Sequence, residues 1–297
     1  MTRTLAPDTS MGVVDLLVRD PDAMVAFYTA GVGLAVLGQA GPTVTLGRSG
    51  NPVVRLTRES DLPDFDRGDA GLFHTAVLYP TQADLAAAVL STVRHAPAAF
   101  TGSADHLVSE AFYFDDPEGN GVELYTDRAR SSWTYAADGS VRMATNLLDP
   151  NTYLQDHLDD AGMTGAQHAA ASVGHVHLQV GDIDLARDFY AGVLGFEVTS
   201  RFGSQALFVA AGGYHHHIGL NSWNSRGAGP RAASLGLGQV AIEVPAGEEI
   251  ERIAHRLGRN GVDHRTVDGS LQVRDPWATL IEIRPRGLEP ARAGVAV

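Results

Sequence analysis

The chain repeats itself, and the repeat limits its fold more than any other feature. Val18-Arg19-Asp20, Phe27-Tyr28 and Val32-Gly33-Leu34 recur as Val180-Gly181-Asp182, Phe189-Tyr190 and Leu194-Gly195-Phe196, with Asp20 and Asp182 set 162 residues apart. Self-similarity at a fixed offset marks a duplicated structural unit. Each copy reads as a strand, a short helix with its Phe-Tyr pair on one face, a glycine turn, and then strands of alternating Val, Leu and Thr. The Phe-Tyr pairs read as core anchors for those helices.

A second kind of unit follows each first one. Phe73-His74-Thr75-Ala76-Val77 leads into a helix over about 81–94, and the unit ends at Asp116-Pro117-Glu118-Gly119-Asn120-Gly121-Val122-Glu123-Leu124. Its counterpart starts at Gly238-Gln239-Val240-Ala241-Ile242, continues through a helix from near Glu248 to Gly258, and ends at Asp275-Pro276-Trp277-Ala278-Thr279-Leu280-Ile281-Glu282. The expectation is an α+β fold of four βαβββ units in two paired domains, the first over 8–130 and the second over 172–287. The connector, 131–171, is rich in Ala, Asp, Asn and Ser and suits a short helix or two around Pro150. The tail beyond Pro285 reads as a loosely held end.

Histidine is concentrated where strands are expected. In Tyr214-His215-His216-His217-Ile218-Gly219-Leu220, strand alternation puts His215 and His217 on one side and His216 on the other. His175 and His177, two residues apart, share a face of their own strand. Two His-bearing strands and the strand carrying Glu282 can build a two-His, one-carboxylate site, the usual arrangement for non-haem Fe(II) with open coordination positions. Cysteine is absent, which excludes disulfides and thiolate metal sites and leaves His, Asp, Glu, Gln and Tyr as donors.

The formal charge of −13 argues against nucleic acid or an anionic membrane as partner. The first residues lack the apolar core of a signal peptide, and no segment approaches a membrane span, so the cytoplasm is the expected location.

These motifs together resemble the vicinal oxygen chelate superfamily (glyoxalase, bleomycin resistance and extradiol dioxygenase proteins), and within it the two-domain catechol 2,3-dioxygenase type. The resemblance runs from about Gly12 to Arg284. It rests on the Asp-(helix)-Phe-Tyr-(three residues)-Leu-Gly-Phe signature, the Asp-Pro-Glu-Gly-Asn-Gly turn before Glu123, and the block of three histidines. Ring-cleaving members carry one ligand histidine on the first strand of a unit, a second on the first strand of its paired unit, and a glutamate on that unit's last strand. Carried over to the C-terminal pair, the resemblance implies metal ligation by His175, Gln239 and Glu282, with Gln239 departing from the family's histidine. His216, and next His217, match the family's acid–base histidine, while Gln272 replaces an expected tyrosine. In the N-terminal pair Val13 replaces the first ligand, but His74, Glu123, Tyr113 and His106 fall at family positions, giving a second candidate site.

The implied activity is extradiol cleavage of a catechol-type aromatic by O2, with Fe(II) as cofactor and Mn, Zn or Ni as the other metals the donors allow. The small aromatic and O2 are then the partners, and a homodimer is allowed. A glyoxalase-like non-redox isomerase or lyase, or a metal-free protein that binds small aromatics, is the alternative, since the fold does not choose among these activities. Plain readings compete at single residues. His74 on an apolar strand suits a core histidine, the three consecutive histidines suit a structural cluster, and Trp223 and Trp277 suit packing as well as a cavity wall.

Overall fold

The computed structural model describes residues 4–164 and 170–288; the expected loose tail at Pro290 and the 165–169 part of the connector lie outside the described residues. The first unit comprises β1 (Ser10–Val18), α1 (Pro21–Ala26), β2 (Ala35–Ala40), β3 (Thr43–Arg48) and β4 (Asn51–Arg58). The second comprises β5 (Gly71–Leu78), α2 (Gln82–His95), β6 (Phe100–Asp105), β7 (Ser109–Asp115) and β8 (Gly121–Asp127). In the connector, α3 (Pro150–His157) and α4 (Asp160–Met163) follow. The third unit is β9 (Ser172–Gln179), α5 (Ile183–Arg187), β10 (Glu197–Phe202), β11 (Ala206–Ala210) and β12 (Ile218–Asn221). The fourth is β13 (Gly236–Val244), α6 (Gly247–Arg259), β14 (His264–Val267), β15 (Ser270–Arg274) and β16 (Leu280–Pro285). All four expected βαβββ units are therefore present.

The repeated aspartates explain where two of the helices begin. Asp20 accepts a hydrogen bond from the Ala23 amide and Asp182 one from the Leu185 amide, so each side chain caps an orphan donor of the first turn. Both helices then widen into a π turn, over Phe27–Gly31 and Asp188–Leu194. The wider turn carries Phe27 with Tyr28, and Phe189 with Tyr190, into the core. Each tyrosine hydroxyl then donates to the aspartate that opens the last turn of the following unit, Tyr28 to Asp116 at 3.2 Å and Tyr190 to Asp275 at 2.9 Å. The two sequence motifs are thus halves of one contact.

Sheet pairing corrects the expected grouping of the units. One eight-stranded sheet runs β14-β15-β16-β13-β1-β4-β3-β2 and the other β10-β11-β12-β9-β5-β8-β7-β6. The first unit shares a sheet with the fourth, and the second with the third, rather than the first with the second and the third with the fourth. The seams are antiparallel: Asp15 of β1 faces Gln239 of β13, and Ala76 of β5 faces His175 of β9. Alternating apolar residues suit either pairing equally, so the strand pattern alone could not choose between them. The first and second units, and the third and fourth, are held together instead through their helices, as where the Ser91 hydroxyl on α2 donates to the Ala30 carbonyl at 2.8 Å.

The sequence also places the three histidines in a strand, and the structure does not. Residues 211–217 form the turn between β11 and β12, and β12 begins only at Ile218. Gly212 and Gly213, at φ 61° and 69°, bend the chain there, so strict alternation does not decide which imidazole faces inward. Among the described residues no helix is long and apolar enough to cross a membrane.

Candidate metal and catalytic site

The seam between β5 and β9 brings together the ligand residues that the sequence divides between two half-sites. His74 lies on β5, Glu123 on the neighbouring β8 and His175 on β9, all buried. Their donor atoms lie within 4.8 Å of one another. The Nε2 atoms of His74 and His175 stand 2.8 and 3.1 Å from the same Glu123 oxygen. Donors about 2.1 Å from a common ion at right angles lie about 3 Å apart, so these spacings are those of one face of a coordination shell.

His74 tests the fit. Its Nε2 is buried and, despite its closeness to Glu123, makes no hydrogen bond of acceptable geometry. A buried polar atom without a partner is costly in an interior, and a cation in front of it removes that cost. Protonation states agree with a ligand set. Burial alone would raise the Glu123 carboxyl, but the two imidazoles outweigh it and hold the group well below the usual carboxylate range. Burial pushes the His175 imidazole down to about 4, against the opposing pull of Glu123. An ionised carboxylate and a neutral imidazole are the forms that bind a metal. The Nδ1 of His175 has no partner among the described residues, so the outer acceptor that usually orients a ligating imidazole is missing on that side.

Local packing holds β9 in register. Gly174 lies against Tyr125, and a β-carbon there would fall 1.7 Å from the tyrosine oxygen. Gly219 lies against the His177 ring in the same way, at 3.0 Å. Only the absence of side chains at Gly174 and Gly219 lets Tyr125 and His177 come this close to the neighbouring strands.

The other expected residues divide clearly. His216 lies beside the cluster, its ring centre 4.1 Å from that of His175, with Phe208 at 4.9 Å on another side. His217 instead accepts the Ala211 amide at Nδ1 and packs on Tyr214, which makes it part of the turn's own structure. Tyr113 lies against His74, and its hydroxyl is 2.6 Å from the His106 Nε2. Because His106 Nδ1 faces the Ala144 carbonyl at 2.7 Å, it must carry the proton, so the Tyr113 hydroxyl donates to Nε2.

Gln239 and Glu282 do not join His175; they sit in the other sheet. There the Gln239 amide donates to Glu282 at 3.0 Å, and the Ser270 hydroxyl donates to the other Glu282 oxygen at 3.0 Å. Asp15, which occupies the register position of His177, is ion-paired with Arg55 of β4. Arg284 lies 3.9 Å from Glu282. Guanidinium groups thus accompany these carboxylates where the sheet of β5 and β9 presents imidazoles, and the expected set His175, Gln239 and Glu282 is not assembled. The physical reason is the pairing itself, since Gln239 and Glu282 go with β1, where Val13 stands, and not with β9.

Sequence reasoning missed three contributors. Trp133, in the connector, packs against His215. Phe73 packs edge-on against His177 and against Trp223, the tryptophan already named as a cavity-wall candidate, giving an aromatic wall beside the cluster. Asp127 ends the strand that carries Glu123 and reaches the histidine turn. For Asp127 a signal existed, because Glu123, Tyr125 and Asp127 alternate and so share a strand face.

With this fold and site in view, the comparisons with known proteins fall into place. The chain belongs to the Glyoxalase/Bleomycin resistance protein/Dioxygenase superfamily, whose family model matches residues 10–124 and 172–283. It is similar to a catechol-2,3-dioxygenase of Bacillus subtilis (strain 168), 36% identical over 275 residues and covering 91% of this chain and 94% of that protein. In structure it resembles a protein from Bacillus subtilis subsp. subtilis str. 168, at 15% identity and TM-score 0.62, covering 94% of this chain and 86% of the other. It also resembles glyoxalase I from Zea mays, at 15% identity and TM-score 0.54, covering 93% and 92%. At those identities the structural likenesses speak for the fold alone.

Proposed function

We propose that this protein is an Fe(II)-dependent extradiol dioxygenase that cleaves a catechol-type aromatic with O2. The observation that carries the reading is the convergence of His74, Glu123 and His175 on one buried point, flanked by His216 and the Phe73–Trp223 wall. The similarity to a catechol-2,3-dioxygenase supports it from outside the geometry.

His74, Glu123 and His175 would hold the ion on one face, leaving the opposite positions open. When bound, Fe(II) supplies acidification of a chelated diol and electron exchange with O2. The protein's own residues do the rest. Phe73, Trp223 and Phe208 receive the flat face of the ring and keep water away. His216, with burial holding its imidazole well below the ordinary range, is neutral near pH 7 and takes the proton of the second diol hydroxyl. It later returns that proton to an oxygen of the ring-opened product, which keeps both atoms of O2. Tyr113, its hydroxyl donating to His106 and its pKa raised by burial, stays a neutral phenol beside His74 and leaves its oxygen lone pairs as acceptors toward the site. Cleavage of the carbon–carbon bond beside the diol gives a ring-opened semialdehyde.

The test is O2 consumption by Fe(II)-loaded protein across a panel of catechols and hydroquinones. The expected result is O2 uptake with a yellow ring-opened product. No uptake in protein shown to contain Fe(II) would reject the reading and leave a non-redox isomerase or a binding protein.

A further inference from the structure

Three residues beyond the donor cluster form a hydrogen-bonded chain that ends on the base. Asp127 Oδ1 lies 2.9 Å from His215 Nε2, and His215 Nδ1 lies 2.7 Å from His216 Nδ1. The other Asp127 oxygen accepts the Tyr214 hydroxyl at 2.9 Å, and Tyr125 donates in turn to the Tyr214 oxygen at 2.7 Å. His215 is wholly buried, whereas the Asp127 side chain is 25% exposed, in a groove of about 520 Å³ that it shares with Glu110 and Arg128. Trp133 covers His215 from the connector, its ring centre 5.4 Å away.

One arrangement satisfies both contacts with a single N–H on each ring. A carboxylate only accepts, so one proton must sit on His215 Nε2. The bond between the two Nδ1 atoms needs the second, and His215 has already used its own, so it sits on His216 Nδ1. His216 Nε2 is then the bare nitrogen, the hydrogen bond of that ring being the one at Nδ1.

We propose that Asp127 and His215 are positioning residues that lock His216 in the Nδ1–H tautomer, so that its Nε2 meets the substrate as a proton acceptor. The inference rests on the reading of His216 as the base. It assigns a role to a residue of the second unit and one of the third, joined across the same seam that assembles the metal ligands. A carboxylate that holds a base in its working tautomer is an established device, and replacing it by an amide, which can offer N–H instead, favours the wrong tautomer.

The experiment is nitrogen NMR of the full chain, labelled with ¹⁵N-histidine and loaded with Zn(II) to keep the site diamagnetic, with His216 assigned by loss of its signals in His216→Phe. In the wild type, His216 should show a protonated Nδ1 and an unprotonated Nε2. Asp127→Asn should shift it to the Nε2–H form or to a mixture, and Asp127→Glu should restore the wild-type pattern. His215→Phe, which keeps a ring in place but can neither donate nor accept, should act like Asp127→Asn. With Fe(II) and a catechol, Asp127→Asn should lower kcat by about 10²-fold, with KM changed less than about threefold and metal content unchanged. An Nε2–H tautomer in the wild type, or a His216 pattern indifferent to both Asp127→Asn and His215→Phe, overturns the proposal. Wild-type protein with the expected tautomer but no O2 uptake would reject the dioxygenase reading while leaving the positioning in place.

Discussion

Glu123 is the residue on which the site turns, because both imidazole nitrogens address one of its oxygens. Replacing it by alanine removes a charge and a donor, and should weaken metal binding by more than the roughly 10- to 100-fold typical of an outer-shell change. Glu282→Ala should leave metal content unchanged, because its carboxylate is already occupied by Gln239, Ser270 and the nearby Arg284. Metal analysis of both variants checks the assignment, and loss in Glu282→Ala would return the site to the other sheet. His216→Phe should retain the metal but lose about 10²- to 10⁴-fold in rate, whereas His217→Phe, altering a ring that braces the turn, should act mainly on stability.

At the scale of the elements, the Tyr–Asp bridges between consecutive units make a prediction about pH. Burial pushes the Asp116 carboxyl up to about 6, from an ordinary 3.8, in spite of the hydrogen bonds it accepts from Asn120, Glu118 and Tyr28. Between those values the folded chain binds more protons than the unfolded one, so this group makes stability fall as pH rises from about 4 to about 6. The full effect is bounded at roughly 3 kcal/mol. Denaturant titrations across that range should show the slope in the wild type and a flatter profile in Asp116→Asn. The last turns of the second and fourth units offer another test. Gly119 takes φ 81° at no cost, but Ala278 sits at the matching position with φ 65°. Ala278→Gly should therefore stabilise the protein by about 1 kcal/mol, read as a higher denaturant midpoint with an unchanged slope.

For the molecule as a whole, each sheet is woven from both halves of the chain. The first unit completes its sheet with the fourth, so neither half of the sequence contains a full sheet. Fragments split in the connector should fail to fold separately, the first leaving the edges of β1 and β5 unpaired and the second those of β13 and β9. Mixed, they should reassociate, and only the mixture should bind metal, since His74 and Glu123 come from one fragment and His175 from the other. Circular dichroism and metal retention of the separate and mixed fragments decide this. Two independently folded halves would contradict the pairing seen here.

Local patterns in the sequence determined the four units, the caps at Asp20 and Asp182, and the helix beginning after Thr81, because these depend on neighbours within a few residues. Each member of the donor set was also visible, His74 and Glu123 in one half-site and His175 in the other. Their combination was not, because a strand's apolar alternation says which face is buried but not which strand lies beside it. The tertiary structure decided that β5 pairs with β9, and this joined two incomplete sites into one and left Gln239 and Glu282 bonded to each other in the other sheet. It likewise decided that Tyr28 meets Asp116 and that Asp127 meets His215, contacts between residues 88 apart in each case. Such long-range meetings are made by the closing of the sheets, and no local preference encodes them.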